Sequence, residues 1–125
     1  MEFILIDDSE FDLFTQRKLL VKSGLAQSVR PFNDPQLALN YLQQQTAAMP
    51  ETVILLDLQM PGLNGFEFTE AYGLLPMELR ARIKLFMISS TVDKSDIEEA
   101  EANQYILHLL SKPLEVQVLR RLLSQ

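Results

Sequence analysis

Five short apolar runs, at residues 2–6, 28–32, 53–56, 83–88 and 107–110, alternate with stretches whose apolar residues recur at helical spacing. Strands separated in this way pair in parallel, because each return crossing takes a helix, and such sheets carry helices on both faces. The expected class is therefore α/β, a doubly wound five-stranded parallel sheet. The 125 residues make one domain, 1–125, long enough to bury roughly two-thirds of the surface of the unfolded chain. A first helix is expected over about 9–23, with Leu13/Leu20 and Phe14/Val21 at heptad spacing and a stop at Gly24. Asn33 or Asp34 caps a second, with Pro35 in its first turn and Leu37, Ala38, Tyr41 and Leu42 as its buried stripe. Phe68, Ala71, Tyr72 and Leu75 mark a third. A fourth, about 94–103, has only Ile97, Ala100 and Ala102 to anchor it among four acids, so it is the element most easily shifted. Pro113 opens a fifth, docked by Val118, Leu119, Leu122 and Leu123.

Composition narrows the function. A net charge of -6 argues against a surface that tracks nucleic-acid phosphates. With no cysteine there are no disulfides and no thiolate metal sites. No apolar run approaches the ~20 residues of a membrane span, and the first strand begins too early to leave room for a signal peptide. A cytoplasmic protein is expected.

The chemistry gathers at strand ends. Val53-Ile54-Leu55-Leu56 runs into a lone carboxylate, Asp57, and then turns through Met60-Pro61-Gly62 into Asn64-Gly65. The first apolar run ends likewise, in Asp7-Asp8; Ser89-Ser90-Thr91 follow the fourth strand and Lys112-Pro113 the fifth. Singly, each has a plain explanation: strand-end acids that cap a helix, a turn residue, a capping hydroxyl, a solvated lysine. Together they lie at the C-terminal ends of strands 1, 3, 4 and 5. In a flavodoxin-like order 2-1-3-4-5 strand 1 adjoins strand 3, and the three acids meet at the switch-point crevice with a hydroxyl and an ammonium beside them. Three carboxylates so placed call for a cation. An all-oxygen set suits Mg²⁺, and a carboxylate nucleophile flanked by metal and lysine is the outline of a phosphoryl-transfer site.

Asp7-Asp8, Asp57 with Met60-Pro61-Gly62-Leu63-Asn64-Gly65, Ser89 and Lys112-Pro113 together resemble the receiver domain of two-component response regulators, over residues 2–124. The resemblance implies a phosphoacceptor at Asp57, a direct Mg²⁺ ligand at Asp8, Asp7 acting through a metal-bound water, and a backbone carbonyl ligand from Gln59. It implies that Ser89 is the switch hydroxyl, with Ser90 as the neighbouring alternative, and that Lys112 pairs with the phosphoryl group. It also implies a Lys112–Pro113 bond that is often cis. The partners would be a sensor histidine kinase or histidine phosphotransfer protein and a downstream protein target, with no direct contact to nucleic acid or membrane. Such a domain turns over no separate substrate and catalyses only its own phosphorylation and dephosphorylation.

This chain departs from the family in three places. Leu109 stands where an aromatic residue is usual, so coupling from Ser89 to the fourth helix is expected to run by packing alone. The span from Ser89 to Lys112 is one residue longer than in the chemotaxis receiver, and Asn103-Gln104-Tyr105 replaces a Gly-Ala turn. His108 is expected at a surface or sheet edge; Met60 and Met87 are expected to pack, in the loop and in the core. Two rivals share the α/β frame. A Mg²⁺-dependent phosphatase of haloacid dehalogenase type would need an Asp-x-Asp on the first strand. A flavin module would need a phosphate loop where Asp-Asp-Ser-Glu stands.

Overall fold

Every residue of the strand Thr52–Asp57 is buried, as an unbroken apolar run requires of a strand covered on both faces. In the computed structural model, which describes residues 1–125, the elements follow in the order β1 (Glu2–Ile6), α1 (Glu10–Lys22), β2 (Ser28–Phe32), α2 (Pro35–Gln43), β3 (Thr52–Asp57), α3 (Gly65–Tyr72), α4 (Met77–Arg80), β4 (Ile83–Ser89), α5 (Lys94–Ala102), β5 (Ile106–Ser111) and α6 (Val116–Leu123). The five strands form one parallel sheet of order β2-β1-β3-β4-β5, as expected.

Period-two alternation divides the core in two. Ile4, Ile6, Ile54, Leu56, Leu85 and Met87 face one side and pack with Ala38, Leu42, Phe68, Tyr72 and Ala100 from α2, α3 and α5. Phe3, Leu5, Val53, Leu55, Phe86 and Ile88 face the other, against Leu13 and Leu20 of α1 and Leu119 of α6. Truncating a fully buried member such as Leu56 to alanine costs about 2–5 kcal/mol.

Several local expectations are corrected. Heptad spacing marks two adjacent stripes on α1, and only Leu13 and Leu20 reach the sheet; Phe14 and Val21 are exposed. On α2 the buried stripe takes Leu39 in place of Leu37, which is exposed, and Asp34 is the cap, accepting from the Gln36 amide. Ala100 is the buried anchor of α5, while Ile97 is exposed. The one-turn helix α4 was not anticipated, since four residues are too short to show a period; it buries Leu79. The last helix starts at Val116 rather than at Pro113: the Lys112–Pro113 peptide is cis, and the chain buries Leu114 before the cap at Glu115.

The two irregular features near β5 have structural explanations. Leu85 pairs with Ile106 but Phe86 pairs with His108, so Leu107 is an extra residue, bulged out of the edge strand and exposed. The bulge lets Ile106 and Leu109, three residues apart, face the same side of the sheet. It also absorbs the additional residue between Ser89 and Lys112, so that Ser89 still pairs with Ser111. His108 lies exposed on this edge, as expected. Asn103, the residue after α5, donates to Thr69 Oγ1 of α3 at 2.9 Å and accepts from the Tyr105 amide at 2.9 Å. Tyr105 in turn covers Gly73, where an added Cβ would lie 2.5 Å from its hydroxyl. Asn103-Gln104-Tyr105 therefore ties the end of α5 to α3.

Candidate functional site

Main-chain bonds carry the sheet ladder past the strand ends and hold the site loops in place. The Asp7 amide donates to Phe32 O, the Leu58 amide to Ile88 O, and the Lys112 amide to Ser89 O at 2.8 Å. The turn after Asp57 folds back because Gly62 adopts a φ of 84° and because α3 begins almost in contact with β3. At Gly65 an added Cβ would lie 2.8 Å from Met87 Cε and 3.0 Å from Asp57 O, so any larger residue would press on both. Asn64 and Glu67 close a capping box there, each bond 2.9 Å long. Met60 and Met87 are both buried in the same core cluster.

Carboxylate oxygens of Asp7, Asp8 and Asp57 lie within 4.8 Å of one another. Asp7 and Asp57 are buried and Asp8 is exposed. Asp7 is fully engaged: Oδ1 accepts from the Ser9 amide at 2.9 Å and Oδ2 from Lys112 Nζ at 2.8 Å. Lys112 Nζ also stands 3.3 Å from Asp57 Oδ1. Burial, then the charge of Asp7, push the Asp57 carboxyl up to about 6, against the opposing pull of Lys112 and of the Gln59 amide. Burial alone would lower the Lys112 ammonium, but hydrogen bonds to Asp12 and Asp7 outweigh it and the group is held above its ordinary range.

The family model described as the response regulator receiver domain matches residues 3–124. The chain belongs to that family. It is similar to a solved response regulator receiver protein from Dyadobacter fermentans, 66% identical over 99% of this chain and 95% of that one, with a TM-score of 0.96. A two-component response regulator from Cytophaga hutchinsonii is 24% identical (98% and 93% covered, TM-score 0.89). A chemotaxis protein from Vibrio cholerae is 22% identical (98% and 95%, TM-score 0.69); these two show the shared fold. Membership decides against the phosphatase and flavin alternatives. Receiver domains are signalling modules of two-component systems that bind Mg²⁺ at an aspartate pocket and work with histidine kinases or phosphotransfer proteins. The pocket of this receiver fits the ion: its donors are all carboxylate oxygens, and buried Asp57 carries charge that a cation would offset. No helix is long and apolar enough to cross a membrane.

Of the two candidate hydroxyls on the receiver, Ser89 is buried at the tip of β4, and its Oγ donates to Thr91 O at 2.9 Å and accepts from the Thr91 amide at 3.2 Å; Ser90 is exposed. Leu109 is half-buried beside a cavity of about 420 Å³ between α5 and β5, which Val92, Ile97 and Ala100 also line. The sequence reading missed Asp12. Its Oδ2 accepts from Lys112 Nζ at 2.8 Å, yet an acid in a first helical turn has no sequence signal separating it from an ordinary helix-start acid.

Proposed function

We propose that this receiver accepts a phosphoryl group on Asp57 from a histidine kinase or histidine phosphotransfer protein, in a Mg²⁺-dependent reaction, and signals through phosphorylation-dependent protein contacts. One observation carries the reading: a buried strand-tip carboxylate sits among two further acids, with oxygens within 4.8 Å, and 3.3 Å from an ammonium. Asp8, Asp57 and the Gln59 carbonyl would hold the ion, with Asp7, already bonded to Ser9 and Lys112, acting through a water. When bound, Mg²⁺ would neutralise charge on the phosphoryl oxygens. Asp57 supplies a carboxylate oxygen that forms an O–P bond as the bond from phosphorus to the donor breaks; the electron pair of that bond leaves with the donor. Lys112 offsets the charge gathered on the transferred group, and the Ser89 hydroxyl turns from Thr91 O to bond it.

Incubated with Mg²⁺ and acetyl phosphate, the protein gains one alkali-labile phosphoryl group, because the receiver itself supplies proximity and charge neutralisation. Mass spectrometry after borohydride trapping places it on Asp57; label on Ser89, Ser90 or His108 would overturn the assignment.

A further inference from the structure

Lys112 is shared among more carboxylates than phosphoryl acceptance requires. Its Nζ donates to Asp7 and to Asp12 at 2.8 Å each, and stands farther, at 3.3 Å, from Asp57. Asp12 is the third residue after Ser9, the N-cap of α1. An acid at that position ordinarily reaches back to the cap amide. Here the Ser9 amide donates to Asp7 Oδ1 at 2.9 Å, while Ser9 Oγ accepts from the Asp12 amide at 3.2 Å. The helix start is thus satisfied without the Asp12 carboxylate. That carboxylate, 30% exposed, is turned to Lys112, which comes from the far end of the chain. Asp12 also stands apart from the acids grouped as a cation site.

We propose that Asp12 is a positioning residue that competes with Asp57 for Lys112, so that an incoming phosphoryl group draws the ammonium toward itself against the pull of Asp12. The inference rests on Asp57 being the phosphoacceptor. A lysine ammonium has three N–H donors in all, and Asp7 and Asp12 take two of them. Phosphoryl oxygens on Asp57 present more negative charge than the free carboxylate and draw the ammonium toward them. Asp7 remains tied to Ser9, whereas the Asp12 side chain has Lys112 as its one hydrogen-bond partner and is the acceptor that gives way. Asp12 therefore slows phosphoryl capture and lowers affinity for a phosphoryl mimic, through Lys112 alone.

Calorimetric titration with beryllofluoride at fixed Mg²⁺ tests this, together with the rate of phosphoryl capture from acetyl phosphate. Asp12→Asn is expected to bind the mimic about two- to fivefold tighter than wild type, the range of a partly exposed ion pair, and to capture faster by a similar factor. Asp12→Glu, which restores the charge, returns both values toward wild type. In a Lys112→Ala background the Asp12→Asn change has no effect on capture, as a double-mutant cycle requires of a residue acting through another. Circular dichroism melts show that each variant is folded. Equal affinity and rate in Asp12→Asn and wild type overturn the proposal, and so does an equal gain without Lys112. Failure of wild type to take label on Asp57 would instead overturn the phosphoacceptor assignment.

Discussion

At the residue scale, the energetics of the site centre on Asp57, a carboxylate kept in a place that disfavours its charge. Its folded value, about 6, lies above the ordinary 3.8, so the folded state holds the proton more tightly than the unfolded one. The sign follows: without metal, stability from this group is present below about pH 4 and is lost as pH rises through about 6, by at most about 3 kcal/mol. Asp57→Asn, which cannot ionise, is expected to melt a few degrees higher than wild type in chelator at pH 7, with the gap closing toward pH 4. Equal melting at both pH values would show that the charge is not strained. Gly65→Ala tests the opposite kind of constraint. Its Cβ would press on Met87 Cε, which can move, and on the Asp57 carbonyl, which cannot, so a loss of about 1–3 kcal/mol by chemical denaturation is expected.

At the element scale, β5 and α5 carry this receiver's departures from its family. Leu107 is bulged and exposed, and removing it leaves the pairs of Leu85 with Ile106 and Phe86 with His108 adjacent and regular. A Leu107 deletion is therefore expected to fold and to keep Asp57 phosphorylation. A Leu110 deletion displaces Lys112 from Ser89 and loses it, as mass spectrometry on both variants would read. For α5, the proposed phosphorylation of Asp57 is expected to break the Ser89–Thr91 bond and, with Leu109 in place of an aromatic ring, to act through the 89–92 backbone and the packing around Val92 and Ile97. Amide shifts on adding beryllofluoride are expected to cluster in residues 89–112. Shifts confined to residues touching the mimic would mean that the switch is absent or that a partner completes it. Asn103, bonded to Thr69, pins the helix's far end, so the movement is concentrated at its start.

At the scale of the whole molecule, the site takes up folding stability that a cation returns. At about 100 times its dissociation constant, Mg²⁺ is expected to add about 2.7 kcal/mol, seen as a melting temperature several degrees higher, with most of the gain missing in Asp8→Asn. Coincident curves for wild type with and without Mg²⁺ would remove the metal assignment.

What was legible in the sequence was whatever local pattern dictates. Apolar runs with helical stretches between them decided a parallel sheet covered by helices on both faces, and carboxylates at strand tips, beside a Met-Pro-Gly turn, marked the crevice where Asp7, Asp8, Asp57 and Lys112 now meet. Packing against the rest of the chain decided the remainder. Heptad spacing alone cannot say which of two stripes on α1 meets the sheet, so Phe14 and Val21 were misplaced, and a one-turn helix such as α4 has no period to read. The bulge at Leu107 is invisible until β4 supplies a register. Asp12 joins the site because α1 is laid across the sheet so that its first turn meets Lys112, one hundred residues away, and no local signal encodes that approach.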